Sequence, residues 1–253
     1  MEINGKHILV TGGASGLGAA CVELLQAHGA NVTIFDQKSE ENIEHTRGTN
    51  QVYHQVDITN ETEVTIALDA AIESNGALHG VINCAGIGSA KKVLSNKGPH
   101  DLETFQKVIE VNLIGTFNML RLSAERMKSH DPTDTGERGV IINTASIAAY
   151  DGQIGQAAYS ASKGGITSLT LPAARELANA GIRVVSIAPG VFDTPLFGAL
   201  PEEARSHLEQ LTPFPKRLGN PREFAELALH IFQNSMINGE TIRLDGAIRM
   251  PAK

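Results

Sequence analysis

The sequence is poor in aromatic residues and in cysteine, and it has no long apolar run. Tryptophan is absent, aromatic side chains make up 4% of the 253 residues, and the two cysteines are Cys21 and Cys84. One cysteine lies in a predicted helix and the other at a strand end, a spacing typical of neither disulfides nor metal ligands. We therefore expect two small buried thiols in a reducing compartment and no metal site. Because no apolar run reaches the roughly 18 residues of a membrane span, we expect a soluble intracellular protein with no membrane partner.

Positive charge is also scarce. The chain has 21 basic and 28 acidic residues, for a net charge of −7, and basic residues form no stripe with aromatic ones. A nucleic-acid partner is therefore not expected, and an anionic ligand must be captured by local groups. The hydrophobic content of 42% supports a sizeable core. An α/β chain of this length is commonly one domain, which we expect to span residues 1–253.

Short apolar segments alternate with helical patterns along most of the chain. This alternation predicts an α/β fold of the Rossmann type, a doubly wound, seven-stranded parallel sheet with helices on both faces. Two stretches depart from it: residues 88–100, predicted as a solvated loop or a substrate-side insertion, and residues 191–212, predicted as a mobile lid. The predicted strands cover residues 7–10, 31–35, 51–55, 78–83, 140–143, 182–188 and 240–244, and the main helices 19–28, 61–75, 101–129 and 156–180, with a further helix starting after Asn220.

A glycine-rich turn joins the first predicted strand to the first helix. Residues 11–18 read Thr-Gly-Gly-Ala-Ser-Gly-Leu-Gly. Glycine allows a pyrophosphate to approach the backbone, and the helix N-terminus offers unpaired N–H groups and a favourable dipole. An ordinary tight turn is the alternative interpretation. The predicted cofactor contacts in this loop are Gly12, Ser15, Gly16, Leu17 and Gly18.

Asp36 stands at the end of the second predicted strand, about 20 residues beyond the loop. A carboxylate there accepts hydrogen bonds from an adenosine ribose and would repel a 2′-phosphate, which predicts NAD rather than NADP. The alternative is an aspartate that caps a turn.

Several polar and small residues follow later strands, at the carboxyl edge where open α/β sheets bind ligands. Asn83 and the small residues Ala85 and Gly86 follow the fourth strand, where a cofactor could lie flat. Ser146 follows the fifth strand. Asn112 lies within an apolar helical pattern, so its side chain must be hydrogen-bonded in either a structural or a catalytic role.

Tyr159 and Lys163 are four residues apart and share one face of a predicted helix. With the Ser146 hydroxyl nearby, they form an acid/base device in outline. A free phenol titrates near about 10, and we expect the lysine charge to lower the pKa of Tyr159 toward working pH. The alternative is that Tyr159 and Ser146 merely pack and hydrogen-bond.

Taken together, these motifs resemble the short-chain dehydrogenase/reductase family over nearly the whole chain. The loop at 11–18, Asn83 to Gly86, Pro189-Gly190 with Thr194, and the set of Asn112, Ser146, Tyr159 and Lys163 carry the resemblance. Three stretches, 157–165, 213–219 and 239–250, are similar to the type II 3-hydroxyacyl-CoA dehydrogenases within that family, as is the placement of the insertion at 88–100.

The resemblance implies an NAD-dependent enzyme that oxidises a 3-hydroxyacyl-CoA to the 3-oxoacyl thioester. Tyr159 would be the acid/base, Ser146 would hold the substrate oxygen, Lys163 would also bind the nicotinamide ribose, and Asn112 would hold a water. It also implies a homotetramer, in the cytoplasm or, in a eukaryote, the mitochondrial matrix. The implied cofactor contacts beyond the glycine loop and Asp36 are Asp57 (to adenine), Ile58, Asn83, Ala85, Gly86, Tyr159, Lys163, Pro189, Gly190, Val191 and Thr194, and the substrate contacts are Ser146, Gln153, Phe192 and Leu196.

The sequence leaves the identity of the substrate open. Lys91, Lys92 and Lys97 in the insertion are candidates to attract the phosphates of CoA, and Phe197 and Leu200 would extend the apolar lining of the lid. An apolar lid also suits a hydroxysteroid or another secondary alcohol. A carrier-protein-linked 3-oxoacyl reductase usually prefers NADP, which Asp36 disfavours. From another class, the chain could be an inactive dinucleotide-binding assembly subunit.

Overall fold

A seven-stranded parallel sheet forms the centre of the protein. The computed structural model describes residues 1–40, 51–195 and 202–252. The strand order in the sheet is β3-β2-β1-β4-β7-β8-β9, and each neighbouring pair is parallel, which confirms the predicted fold class. The strands are β1 His7–Thr11, β2 Asn31–Asp36, β3 Gln51–Gln55, β4 Leu78–Asn83, β5 Leu94–Ser95, β6 Gly98–Pro99, β7 Gly139–Thr144, β8 Ile182–Pro189 and β9 Thr241–Leu244.

Helices cover both faces of the sheet, so the inner strands β1, β4, β7 and β8 are buried on both sides, whereas the edge strands β3 and β9 are only partly buried. In β1, Ile8 and Val10 pack beneath α1 (Gly16–Ala27) and α7 (Pro221–Gln233), whereas Leu9 packs on the opposite face with α2 (Glu61–Asn75) and α4 (Thr116–Lys128). This alternation is the two-residue period of a strand. The helices are α1 Gly16–Ala27, α2 Glu61–Asn75, α3 Leu102–Ile109, α4 Thr116–Lys128, α5 Ala157–Leu177, α6 Glu202–Leu211 and α7 Pro221–Gln233.

The helix starts follow local capping chemistry. Asn60 accepts hydrogen bonds from the backbone of the first turn of α2, Asp101 does the same for α3, and Asn220 with Glu223 forms a capping box at α7. The predicted helix at 101–129 is interrupted by a π-helical segment, Glu110–Gly115, which joins α3 to α4 and contains Asn112.

The two irregular stretches contain regular structure. Within 88–100, β5 and β6 form a small antiparallel hairpin, so the loop prediction was incomplete there. Within 191–212, α6 is tied to the segment after β8 by two hydrogen bonds of 2.9 and 2.6 Å from Arg205 to Asp193. Leu196, Phe197 and Leu200 lie outside the described residues. No helix in the described part of the chain is long and apolar enough to cross a membrane.

Candidate active site

The strand order reverses between β1 and β4, which are neighbours in the sheet. In doubly wound sheets ligands bind at this reversal point. The segments after β1, β4, β7 and β8 meet there. They carry most of the residues that the sequence predicts as functional.

The glycine loop between β1 and α1 is packed too closely for larger residues. A Cβ on Gly12 would lie 2.8 Å from the backbone nitrogen of Ala85, and one on Gly18 would lie 2.3 Å from the carbonyl oxygen of Gly12. Gly12 and Gly16 also have positive φ angles of 65° and 56°, which favour glycine. The close approach of backbone to backbone leaves a side-chain-free cradle that fits a pyrophosphate.

The N-terminus of α1 is suited to an anion. Ser15 is the N-cap residue, but its side chain makes no capping hydrogen bond, and the first turn has no acidic residue. The N–H groups and the positive end of the helix dipole are therefore available to a ligand. Thr194 lies over this loop, with its Cβ 3.4 Å from the position of a Cβ on Gly16. Leu17 packs against the hydrophobic core, so its contact with a cofactor would come from its backbone.

Asp36 lies beside the glycine loop at the end of β2. One carboxylate oxygen accepts a hydrogen bond of 3.1 Å from the backbone N–H of Ala14, and the other accepts one of 3.1 Å from that of Lys38. The carboxylate therefore both caps a turn and borders the loop. Its position is that expected of a ribose-binding acid.

Asp57 lies after β3 and is held by Thr59, whose backbone N–H and hydroxyl donate bonds of 2.9 and 2.7 Å. Burial raises the pKa of Asp57, but hydrogen bonds from Thr59 and Gln37 outweigh it, so the net pKa is lowered and the side chain stays ionised. The side chain of Ile58 is buried in the core and contacts Gly115. It therefore cannot line the cofactor site as expected, and the backbone of Ile58 is the part left for that role.

The residues after β4 and β8 divide between core and site. Asn83 is buried, and its Nδ2 donates a 2.9 Å hydrogen bond to Asn143 on β7. Its side chain thus links two strands, and the backbone of Asn83 is the part left to contact a cofactor. The N–H of Ala85 is held by the Thr11 hydroxyl at 3.2 Å, and Gly86 is exposed. At the end of β8, Pro189 is the last residue of the strand. The N–H of Gly190 donates a 2.9 Å hydrogen bond to the Leu244 carbonyl, and Val191 is buried.

Ser146 and Tyr159 are brought together at the carboxyl edge of the sheet. Ser146 precedes a short 3-10 turn, where its oxygen accepts a 3.1 Å hydrogen bond from Ala148 N–H. Tyr159 lies in the first turn of α5, and the Ser146 side chain acts on its hydroxyl by lowering its pKa. Burial raises the pKa of Tyr159, and the effect of Ser146 opposes this only in part.

Lys163 lies one turn further along α5 and is almost fully buried. Its Nζ donates a 2.7 Å hydrogen bond to the Thr144 carbonyl and lies 5.8 Å from the centre of the Tyr159 ring. Burial lowers the pKa of Lys163 to about 8. The expectation that Lys163 lowers the pKa of Tyr159 is therefore not met here, because the ammonium lies over the ring rather than at the hydroxyl and burial dominates both groups.

Asn112 joins α5 to the segment after β4. Its Nδ2 donates to the carbonyl of Ile87 at 2.9 Å and to the Ser162 hydroxyl at 3.1 Å, and its Oδ1 accepts from the N–H of Ile87 at 2.8 Å. Oδ1 and the Nζ of Lys163 both border Gly86, at 3.2 and 3.6 Å from the position of a Cβ. The buried amide is thus a structural link that adjoins Lys163.

Besides Ser146, three residues are predicted to contact the substrate: Gln153, Phe192 and Leu196. Gln153 lines a cavity of about 440 Å³ between the insertion hairpin and the start of α5, and its Nε2 donates a 3.2 Å bond to the Pro251 carbonyl. Phe192 is 5% exposed and packs in the core against Gly219 and beneath α7. Phe192 therefore does not line an acyl pocket as expected, because a parallel bridge to Gly219 turns it inward. Leu196 lies outside the described residues.

Two supporting residues were missed in the sequence. The carbonyl of Thr144 receives the Lys163 ammonium, and Arg243 on β9 donates to Asp151 at 2.5 Å, which holds the loop after Ser146. Thr144 lies at a strand end two residues before Ser146, a position that could have signalled its role. Nothing local to Arg243 indicates that it reaches a residue 92 positions away.

The fold and this site define a nicotinamide-dependent oxidoreductase, and comparison with known proteins agrees. The family model for short chain dehydrogenases matches residues 6–205, and the chain belongs to that family. It is 51% identical to the 3-hydroxyacyl-CoA dehydrogenase type-2 of Bos taurus, over 98% of this chain and 97% of the relative. The enzyme of that name from Drosophila melanogaster is also 51% identical, over 96% of each chain. The crystal structure of 3-hydroxyacyl-CoA dehydrogenase type-2 from Mycobacterium avium superposes with a TM-score of 0.90 at 41% identity, covering 98% of each chain.

Proposed function

We propose that this protein is an NAD-dependent dehydrogenase that interconverts a 3-hydroxyacyl-CoA and a 3-oxoacyl-CoA. The observation that carries the proposal is the geometry of Lys163 at the sheet edge, where its Nζ donates a 2.7 Å hydrogen bond to the Thr144 carbonyl, two residues before Ser146, and lies 5.8 Å from the centre of the Tyr159 ring. The full-length similarity to relatives that carry this activity in their names supports the choice of substrate.

Tyr159 is the acid/base group. In reduction the neutral phenol donates its proton to the substrate oxygen, and in oxidation the phenolate accepts it. Ser146 holds that oxygen through a second hydrogen bond. Because burial raises the pKa of Tyr159, oxidation should accelerate as the pH rises, whereas reduction should be favoured at lower pH.

The cofactor site fits a dinucleotide. The crowded cradle of Gly12 and Gly18 and the uncapped N-terminus of α1 would hold the pyrophosphate. Asp36 would accept hydrogen bonds from the adenosine ribose, which supports NAD over NADP. Lys163 would bind the nicotinamide ribose. The bound nicotinamide supplies the redox chemistry, accepting or donating a hydride, and the protein positions the substrate carbon against it.

The insertion supplies the proposed acyl-CoA contacts. Gln153 borders the cavity beneath the hairpin, and Lys92, Val93 and Leu94 line its other side. Val93 and Leu94 are 68% and 72% exposed, an apolar surface beside a positive charge. Lys91 forms a salt bridge with Asp101 and donates to Thr104. Of the three lysines we therefore assign the CoA phosphates to Lys92 and Lys97.

A homotetramer is also proposed. Ile114 and Phe117 are more than half exposed on the π-helical segment and α4, and Leu171 is 44% exposed on α5. Exposed apolar side chains on these helices support an interface between copies of the chain. Light scattering of the purified protein tests the mass, and substitution of Phe117 by Glu should dissociate the assembly.

The experiment for the activity is a substrate panel in the presence of NAD. It compares a 3-hydroxyacyl-CoA, the same acyl group on a truncated thioester, and a hydroxysteroid. We expect Tyr159→Phe to lower kcat by about 10²- to 10⁴-fold with unchanged NADH binding. Tyr150→Phe is the matched control, because its ring lies over Arg243, outside the proton pathway. Turnover of the steroid in preference to the acyl-CoA would overturn the proposed substrate, and a fully active Tyr159→Phe would overturn the proposed chemistry.

A further inference from the structure

The side chain of Arg243, on β9, holds two carboxylates that belong to different segments of the chain. Its Nη2 donates a 2.5 Å hydrogen bond to Oδ2 of Asp151, and its Nε donates one of 2.7 Å to Oδ2 of Asp245. Nη2 also donates to the Ile248 carbonyl at 3.2 Å. The carboxylates of Asp151 and Asp245 are 19% and 8% exposed, so water competes only weakly for these charge-assisted bonds.

Asp151 ends the turn that begins at Ser146. The N–H of Asp151 donates a 2.8 Å hydrogen bond to the Ile147 carbonyl, and the N–H of Ala149 donates one of 3.0 Å to the Ser146 carbonyl. These bonds make residues 146–151 a single hydrogen-bonded turn. A displacement of Asp151 is therefore passed on to Ser146, the residue that would hold the substrate oxygen.

Asp245 packs behind the other side of the site, at the end of β8. A Cβ on Gly190 would lie 2.9 Å from the Cα of Asp245. The neighbouring Leu244 carbonyl accepts a 2.9 Å hydrogen bond from the Gly190 N–H. Gly190 belongs to the segment that the family resemblance assigns to the nicotinamide. A shift of Asp245 would therefore disturb the cofactor side of the site.

We propose that Arg243 is a positioning residue that sets the distance between the Ser146 turn and the segment at Gly190, and so between substrate and nicotinamide. The inference rests on the proposed function. Arg243 acts through Asp151 and Asp245 and takes no part in the proton transfer. Arginine suits this role because its planar guanidinium donates from several N–H groups in fixed directions, whereas a lysine ammonium is a point charge. Hydride transfer needs the reacting atoms held close and aligned, so a small displacement of either side slows the chemical step.

The kinetic test measures NADH formation in a single turnover of a 3-hydroxyacyl-CoA. Arg243→Gln should lower this rate constant by about tenfold, while the KM for the acyl-CoA and the Kd for NADH stay within about twofold of the wild-type values. Arg249→Gln is the matched control and should leave the rate constant unchanged. Arg249 donates to Asp245 and to the Ile248 carbonyl at 3.1 and 2.6 Å, so this variant removes a positive charge from the same carboxylate but keeps the link to Asp151. Equal rates in the two variants, or a loss confined to KM or Kd, would overturn the proposal.

Two further variants separate the link from a general loss of stability. Arg243→Lys keeps a positive charge that can reach one carboxylate but not span both, so it should fold and react at a rate between those of wild type and Arg243→Gln. Asp151→Asn combined with Arg243→Gln should react no more slowly than Arg243→Gln alone, because both changes break the same link. A rate constant of Arg243→Lys outside that interval, or additive losses in the double variant, would contradict the proposal.

Amide hydrogen exchange, followed by mass spectrometry, tests the link without substrate or cofactor. In Arg243→Gln the amides of residues 147–151 should exchange faster than in the wild type, whereas those of α1 should be unchanged, which also shows that the variant is folded. Arg249→Gln should match the wild type in both segments. Unchanged exchange at 147–151 in Arg243→Gln would overturn the proposal. Faster exchange there, in a protein whose wild type does not oxidise a 3-hydroxyacyl-CoA, would support the link and contradict only the proposed function.

Discussion

Lys163 donates a hydrogen bond of 2.7 Å to the carbonyl oxygen of Thr144, the last residue of β7 and two residues before Ser146. This bond fixes the ammonium at the sheet edge from which Ser146 projects. It gives a buried charge a neutral partner rather than a carboxylate. The lysine is therefore held in position without being neutralised by an acid.

This environment predicts a pH-dependent stability. Burial lowers the pKa of Lys163 from 10.5 to about 8, so between these values the unfolded chain binds more protons than the folded one. The wild type should therefore gain stability as the pH rises from about 8 to 10.5, by about 3 kcal/mol, and this group should add no pH dependence below pH 8. Urea unfolding of wild type and Lys163→Met across this range measures the difference. The exposed Lys107→Met is the control, and a Lys163→Met difference that does not change with pH would contradict the prediction.

Asp36 should decide between the two dinucleotides. Asp36→Asn removes the charge beside the glycine loop and keeps an acceptor oxygen for Ala14. A 2′-phosphate then meets less repulsion, so the ratio of kcat/KM for NADP to that for NAD should rise by about tenfold, or ~1.4 kcal/mol. Asp131→Asn, at an exposed position far along the chain, should leave the ratio unchanged. A wild type that already prefers NADP would refute the role of Asp36.

Gly18 should not tolerate a side chain. In Gly18→Ala the new Cβ would lie 2.3 Å from the Gly12 carbonyl oxygen, so the cradle must open. We expect a higher KM for NAD and a loss of roughly 1–3 kcal/mol in the free energy of unfolding. Gly164→Ala in α5 meets no atom within 4 Å and should stabilise the helix by up to about 1 kcal/mol. Equal effects of the two variants would exclude steric closure of the cradle as the cause.

His79 should contribute to acid sensitivity. Burial and the nearby charges of Lys6 and His130 lower the pKa of His79 to about 4 from 6.5, so the unfolded chain binds the extra proton first. Stability should fall as the pH drops from 6.5 toward 4, by roughly 1–2 kcal/mol after allowing for solvent screening. His79→Gln should flatten that part of the curve, and the exposed His28→Gln should not. Parallel curves for His79→Gln and wild type would count against the assignment.

The local sequence predicted most of the architecture. All seven strands of the parallel sheet lie within two residues of their expected bounds, because most of them are short apolar segments bounded by turns. Asn60 and Asn220 marked helix starts through hydrogen bonds to residues two or three positions away. The hairpin at 94–99 was missed because two-residue strands are too short to show a period.

The sequence was a weaker guide to which single side chains turn into the core. Asn83 ends β4 and Phe192 follows β8, both at the carboxyl edge of the sheet. Both side chains nevertheless turn into the core. For Phe192 the deciding contact is with Gly219, and for Asn83 it is with Asn143. Neither partner is close in sequence, so neither contact leaves a local pattern.

The sequence by itself determined the sheet, the glycine loop and the choice of Ser146, Tyr159 and Lys163 as the candidate acid/base set. Each of these depends on backbone geometry or on spacing within a few residues. Only the tertiary structure decided how these groups are charged and what they touch. Burial raises the pKa of Tyr159, which its spacing from Lys163 on a helix led us to expect to be lowered, and burial lowers the pKa of Lys163. Solvation and long-range contact depend on the whole fold, which local spacing does not encode.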